Sequence, residues 1–312
     1  MKTSAILLVG GKGTRLQPLT NNSPKPMLPV GGVPFTEHQI IKAREAGISE
    51  IVLATSYLAE IFQPYFGDGS KFGIAVKYAV EEVALGTGGA IHNAAKLLAP
   101  ADQVVIFNGD VLSAHDLTKQ IKFHEEKAAD VTLYLTEVAD ARAYGSVELL
   151  AGERVKSFLE KMENPPSNLI NAGCYVFNRN VIDEIAEGKV VSVERETFPK
   201  LLAADKKVFG FVDRSYWLDI SNDKQNVFIN TSINGANNGI YKFGINESAL
   251  PANPFVAGYF YGIGVDPLDD KIYAADPLDF SQDGIMWRYN SSSGMRIDSI
   301  RVGKVPNGIH IQ

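Results

Sequence analysis

The chain has 312 residues, 45% of them hydrophobic, and a formal net charge of -6. That length suits about two domains with a sizeable core. The acidic balance excludes a general nucleic-acid-binding surface, so a polyanionic ligand must be held by local cations and metal. One cysteine, Cys174, excludes an internal disulfide.

Lys2 precedes only a short apolar run that breaks at Gly10, which is no signal peptide, and no segment is long enough to cross a bilayer. The expectation is a cytoplasmic protein with no membrane partner. Ala5 to Val9 is continuously apolar and suits a strand buried on both faces. It opens into Gly10-Gly11-Lys12-Gly13-Thr14-Arg15-Leu16-Gln17-Pro18-Leu19-Thr20, running on to Pro24-Lys25-Pro26-Met27-Leu28-Pro29-Val30. Glycines let backbone N–H groups approach an anion closely. With Arg15 and Lys25 in the same loop, the stretch suits several phosphates. Lys12 is followed by Gly13, which excludes a Walker A loop, and Leu16 stands where a dinucleotide fingerprint needs its third glycine.

Thr36 to Ala46 reads as a helix ended by Gly47, and Ile51 to Ala54 as a second buried strand. Ala59 to Phe66 is a short helix interrupted by Pro64, and Ile74 to Val80 alternates like a strand. Glu81 to Gly89 reads as a glycine-bearing loop, with a helix from Ala90 to Leu98. Val104 to Phe107 is a strand ending at Asn108-Gly109-Asp110. This alternation predicts α/β units around a mostly parallel sheet. Ligands of such sheets sit at the carboxyl ends of the strands, where Gly10, the 81–89 loop and Asp110 all fall. Asp110 is there either a metal ligand or a turn aspartate bonded to nearby amides. Val131 to Thr136 is a strand, Tyr144 to Val147 follows a turn, and Val155 to Glu160 leads into Lys161. Cys174 lies in the apolar run Cys174-Tyr175-Val176-Phe177 and reads as a buried small hydrophobe. Phe209 to Val212 is a further strand.

Gly10 to Val30 resembles the signature GGxGTRLxPLTxxxPKPMxPV of the nucleotide-sugar pyrophosphorylases, the sugar-1-phosphate nucleotidyltransferases. The resemblance covers residues 1–220. It implies a Rossmann-like α/β domain that joins a sugar 1-phosphate to a nucleoside triphosphate and releases pyrophosphate. It makes Arg15 and Lys25 the catalytic residues, and Gly10, Gly11, Gly13, Thr14, Glu82, Gly86 and Thr87 the nucleotide-binding ones. Phe158-Leu159-Glu160-Lys161 resembles the family's F-x-E-K-P motif, departing from it at Met162, and Asn171-Ala172-Gly173 resembles the segment that contacts sugar hydroxyls. Asn108, Gly145, Glu160, Lys161 and Asn171 are thereby implied as sugar-phosphate-binding. Tyr216-Trp217-Leu218-Asp219-Ile220 resembles the W-x-D-x-G-T segment, whose aspartate joins Asp110 in holding Mg²⁺; Ser221-Asn222 stand where Gly-Thr is usual. The segments Glu81 to Gly89 and Asn168 to Gly173 look most similar to mannose-1-phosphate guanylyltransferases. GTP and mannose 1-phosphate, giving GDP-mannose, are therefore preferred, with glucose 1-phosphate and dTTP or UTP as the runner-up.

Beyond Ile220 the chain is rich in Asn, Gly, Ser and aromatics, without helical periodicity. Val227-Phe228 aligns with Ile272-Tyr273, Gly239-Ile240 with Gly284-Ile285, and Gly258 with Gly303, each 45 residues apart by subtraction. Such a period reads as propeller blades, and the segment 262–274 resembles YncE-like propellers. A junction near Ser221, whether natural fusion, engineered chimera or assembly error, would then join a 1–220 transferase domain to a β-rich 221–312 tail. A small β-sheet with aromatics as its core is the plainer alternative. Unclosed blade edges would invite a homo-oligomer. The competing function is a catalytically weak nucleotide-binding or assembly module.

Overall fold

The apolar run after Lys2 forms β1 (Thr3–Leu8), a strand with a parallel neighbour on each side. The structure is a computed structural model, and it describes residues 1–11, 13, 20, 23–30, 33–56, 58–81, 83–138, 141–215, 217–219, 226–231, 239–244, 253–258, 260, 262–266, 271–276 and 283–304. A 3-10 turn at Lys25–Met27 leads to β2 (Pro29–Val30), β3 (Val33–Pro34), α1 (Phe35–Glu45) and β4 (Glu50–Thr55). A second 3-10 turn, Ala59–Ile61, runs into α2 (Phe62–Phe66), followed by β5 (Ala75–Val80), α3 (Gly86–Ala95), β6 (Gln103–Asn108) and β7 (Val111–Ser113). Then come α4 (Leu117–Glu126), β8 (Val131–Glu137), β9 (Gly145–Leu149), β10 (Val155–Glu160), β11 (Leu169–Asn178) and α5 (Arg179–Asp183). A π-turn at Val193–Thr197, α6 (Phe198–Ala203), β12 (Val208–Val212) and β13 (Trp217–Asp219) complete the first unit.

Its nine-stranded sheet runs β10-β9-β11-β6-β1-β4-β5, with β8 on β11 and β12 on β8. β6, β1, β4 and β5 are parallel, while β11 pairs antiparallel with β6, β8 and β9. From β1 the chain winds outward through β4 and β5, then returns to place β6 on the other side of β1. That reversal is the switch point at which α/β sheets bind ligands, and the glycine loop leaves from it. β1 is apolar from Ala5 to Leu8 because it feeds two cores. Ile6 packs with Val52, Ile91, Ile106 and Phe198 on one face, and Ala5 and Leu7 with Ile40, Leu53, Phe62 and Phe107 on the other. Cys174 is buried in the second core, and burial pushes its thiol up to about 12, as a small hydrophobe requires.

One helix departs from expectation. α3 begins at Gly86 and ends at Ala95, where the sequence suggested a loop through Gly89 and a helix from Ala90 to Leu98. Four residues, Gly-Thr-Gly-Gly, make a poor isolated helix. Tertiary contact overrides that: Gly88 N–H donates to the Val191 carbonyl at 2.8 Å and Val191 N–H to the Leu85 carbonyl at 2.9 Å. A Cβ on Gly89 would stand 2.6 Å from the Lys189 carbonyl oxygen, and one on Gly88 2.9 Å from Val191 Cγ1. Glycine is needed there for the close approach of the 189–191 backbone.

The chain divides after Asn222, and a second compact unit follows. β14 (Asn226–Thr231), β15 (Gly239–Gly244) and β16 (Val256–Ala257) form one antiparallel sheet. β17 (Gly262–Asp266), β18 (Lys271–Asp276), β19 (Asp283–Asn290) and β20 (Arg296–Lys304) form another. Ile240, Val256 and Phe260 share a core with Ile272, Ala274 and Tyr289, so the aromatics Phe260 and Tyr289 are core residues. The repeat coincides with strands, β14 with β18 and β15 with β19. The pairing slips, however: Val227 faces Phe243, whereas Ile272 faces Tyr289 rather than Arg288. Among the described residues no helix is long and apolar enough to cross a membrane.

Candidate active site

Two residues singled out by the sequence meet directly. Lys25 Nζ donates to Asp110 Oδ2 at 2.8 Å. The lysine side chain is 8% exposed and the aspartate 34%, so the cation is sheathed while the carboxylate keeps a face open. Asp110 sits between β6 and β7, in a turn fastened by α1. Gln39 Nε2 donates to the Asn108 carbonyl at 2.7 Å and to the Val111 carbonyl at 3.0 Å. One turn along α1, Lys42 Nζ donates to the carbonyls of Ser113 at 2.8 Å and His115 at 2.7 Å. Burial lowers the Lys42 pKa, and burial with the Lys42 charge holds His115 down to about 3, so this imidazole stays neutral. Its Nε2–H donates to Gln120 Oε1 at 3.0 Å, which leaves Nδ1 to accept from the Ser113 hydroxyl at 2.7 Å. Sequence reasoning missed Gln39 and Lys42.

The glycine loop is anchored at both ends. Ser56 Oγ donates to the Gly10 carbonyl at 2.6 Å, and Thr20 Oγ1 to the Gly13 carbonyl at 2.9 Å. Gly13 has φ +59°, and a Cβ there would stand 2.9 Å from Lys25 Cβ. Gly13 therefore lies close against the lysine stem. Gly11 is exposed, with open space where a Cβ would be. Thr14, Arg15 and Glu82 lie outside the described residues.

Around Asn108 lies a polar cluster. Asn171 Nδ2 donates to the Tyr175 hydroxyl at 2.8 Å, and Asn171 Oδ1 accepts from Gly173 N–H at 3.2 Å. The Asn108 side chain also acts on the Tyr175 phenol, while its own Oδ1 is buried without a partner among the described residues. Gly173 has φ +75°, and a Cβ would stand 2.9 Å from Val111 Cγ2 and 3.2 Å from Asn108 Cβ, so glycine lets β11 pass close under the Asp110 turn. Trp217 Nε1 donates to the Ala172 carbonyl at 3.0 Å. β13 pairs Asp219 with Val111, setting the Asp219 backbone beside that of Asp110.

Glu160 and Lys161 close β10, with 3.9 Å between Glu160 Oε1 and Lys161 Nζ. Burial raises the Glu160 pKa; Lys161 and Arg195 oppose the rise and Glu194 adds to it. A Cβ on Gly145 would stand 2.9 Å from Glu160 Oε2, so Gly145 makes room for this carboxylate. Glu194 and Arg195, which the sequence analysis does not single out, thus belong to the same neighbourhood. Thr87 Oγ1 donates to Glu194 Oε2 at 2.8 Å. Glu81 is raised by burial, with Oε2 accepting from Leu85 N–H at 3.2 Å. Lys25, Asp110 and Asn108 are thereby brought together with Asn171, and Glu160 with Lys161 and Gly145.

A model of the nucleotidyl transferase family matches residues 4–230. A mannose-1-phosphate guanylyltransferase of Mycobacterium tuberculosis is 53% identical over 220 residues, 70% of this chain and 61% of that protein. A mannose-1-phosphate guanyltransferase of Gibberella zeae is 34% identical over 257 residues, 81% of this chain and 69% of that protein. The chain thus spans about six tenths of the length of its mycobacterial relative. Among solved structures, HddC of Yersinia pseudotuberculosis complexed with GMP-PN is 29% identical, with a TM-score of 0.62 over 72% of this chain and 96% of that one.

Proposed function

The chain belongs to the nucleotidyl transferase family, and from that premise we propose that it transfers the guanylyl group of GTP to mannose 1-phosphate, giving GDP-mannose and pyrophosphate. The observation that carries the reading is the 2.8 Å meeting of Lys25 with Asp110 where β1 and β6 end. The names of the mycobacterial and fungal relatives support the choice of base and sugar. A phosphate oxygen of the sugar phosphate attacks the α-phosphorus of GTP, and the bond to the β-phosphate oxygen breaks to release pyrophosphate. No side-chain nucleophile is required, so the protein's work is positioning and neutralising charge. Arg15 steadies the departing pyrophosphate, and Lys25 contacts the α-phosphate. Gly10, Gly11, Gly13, Thr14, Glu82 and Gly86 hold the nucleotide. Asn108, Gly145, Glu160, Lys161 and Asn171 hold the sugar phosphate, the carboxylate accepting from hydroxyls and the ammonium pairing with the phosphate.

Asp110 and Asp219 fit Mg²⁺. The support is the backbone pairing of Asp219 with Val111, the residue after Asp110, since this ion is commonly held by one or two carboxylates plus substrate phosphates. Bound there, it supplies neutralisation of phosphate charge. The second unit we read as two propeller-type blades, on the coincidence of the repeat with β14/β18 and β15/β19.

The test is pyrophosphate release by the full chain with Mg²⁺, across GTP, dTTP and UTP paired with mannose 1-phosphate and glucose 1-phosphate. Turnover confined to dTTP would sink the choice of base. Arg15→Ala retaining activity within a few-fold would sink the role given to Arg15.

A further inference from the structure

Thr87 lies at the start of α3, in the segment assigned to the nucleotide, yet its hydroxyl is engaged elsewhere. Oγ1 donates to Glu194 Oε2 at 2.8 Å and accepts from Val193 N–H at 2.8 Å. The same Glu194 oxygen accepts from Ser192 Oγ at 3.0 Å. Ser192 in turn caps the π-turn: its Oγ accepts from Arg195 N–H at 3.2 Å, and its N–H donates to Glu196 Oε1 at 2.9 Å. Two backbone bonds, from Gly88 and Val191, run alongside. The glycines of α3 therefore serve to bring the 189–191 strand of chain against the helix. At its other end the turn packs on β10, the strand that ends in Glu160: Phe198, directly after the turn, meets Phe158 at 5.0 Å in the core that also holds Val193, and the charges of Glu194 and Arg195 act on Glu160.

We propose that Thr87 is a positioning residue for the sugar-phosphate subsite, joining the helix that follows the nucleotide loop to the turn that carries Glu194 and Arg195. The proposal rests on the guanylyltransferase reading above. A nucleotide seated against the start of α3 fixes that helix, α3 fixes the turn through Thr87, and the turn fixes the surroundings of Glu160. Loss of the Thr87 hydroxyl weakens the sugar phosphate and leaves the nucleotide alone.

The experiment compares full-length wild type, Thr87→Val and Thr87→Ser. Val matches threonine in shape and lacks the hydroxyl, while Ser keeps it. Pyrophosphate release gives KM for each substrate, and calorimetry with mannose 1-phosphate or GTP alone gives affinities without turnover. In Thr87→Val the KM for mannose 1-phosphate rises roughly tenfold, the worth of one hydrogen bond to a charged group. Its GTP affinity stays within about twofold, and Thr87→Ser restores the sugar-phosphate KM. A loss of GTP affinity as large as that of the sugar phosphate, or an unchanged sugar-phosphate KM, overturns the proposal. Glu194→Gln, which weakens the same clasp from the other side, is expected to show the same selectivity and overturns the proposal if its loss falls on GTP. Should the wild type bind both ligands and release no pyrophosphate, the functional reading fails, while calorimetry still judges Thr87.

Discussion

Lys25→Met removes a cation and keeps a stem of similar shape in the sleeve formed by Gly13. Two magnitudes separate its effects. A fully buried ion pair that loses one partner costs about 3–5 kcal/mol, but Asp110 is 34% exposed and rehydrates once the lysine is gone. The appropriate figure is that of a surface pair, up to about 1 kcal/mol. For a unit of this size that is about 2–4 °C in Tm. In turnover, a preorganised donor aimed at charge developing on phosphate is worth about 2.7–4 kcal/mol, or roughly 100- to 1000-fold. Pyrophosphate release and thermal unfolding, measured on the same preparation, therefore diverge: kcat/KM collapses while Tm barely moves. Lys25→Arg does not rescue, because a side chain only 8% exposed has no room for the planar guanidinium. A fall in kcat/KM of less than about fivefold, or a Tm lowered by more than about 10 °C, refutes the reasoning.

Gln39→Leu strips two bonds from the Asn108 and Val111 carbonyls and removes one buried oxygen that has no partner among the described residues. The balance is a loss of about 2 kcal/mol, read by denaturant unfolding, together with a higher Mg²⁺ requirement; an unchanged midpoint contradicts it. Gly173→Ala forces a side chain into φ +75° and against Val111, at a cost of about 1–3 kcal/mol, with turnover falling as the Asp110 turn is displaced. Wild-type activity in that variant would exclude the close packing seen here. Burial raises the Glu160 pKa, so the fold favours its protonated form; that stabilisation is full below the ordinary glutamate range and disappears as pH rises through the raised value. On the proposed role of Glu160, sugar binding runs in the opposite sense, because the ionised carboxylate would accept the hydroxyl bonds. On acidification the KM for mannose 1-phosphate rises before that for GTP, and Glu160→Gln flattens the profile; an identical profile in that variant rules out Glu160.

What was legible in the sequence was local. A strand buried on both faces shows as an unbroken apolar run, so β1 is readable, and Lys25 and Asp110, both singled out in the sequence, stand 2.8 Å apart in the structure. The start of α3 is not, because Gly86 to Gly89 read as loop by propensity and become helical through a backbone 100 residues away in sequence. Gln39 and Lys42 look like any polar residues of a helix. Their partners are carbonyls 69 to 73 positions on, and nothing in the helix itself announces them. Glu194 and Arg195 lie 34 and 35 positions beyond Glu160 by subtraction, and only the fold makes their charges act on it. In the second unit the repeat found the strands, while the slip at Ile272 and Tyr289 is a matter of pairing that alignment of like residues cannot register.

The chain has two tryptophans. Trp217 holds the Ala172 carbonyl through its indole N–H, and its ring meets the edge of Tyr144 at 5.5 Å. Trp287 belongs to the second unit, where Arg296 covers its ring at 4.8 Å. The molecule thus carries an intrinsic fluorophore beside Asn171 to Gly173, with a tyrosine donor near enough to feed it by energy transfer. Trp287→Phe leaves that emitter alone, and on the proposed function mannose 1-phosphate arriving at Asn171 to Gly173 is then expected as a shift in ultraviolet emission, without a dye and without turnover.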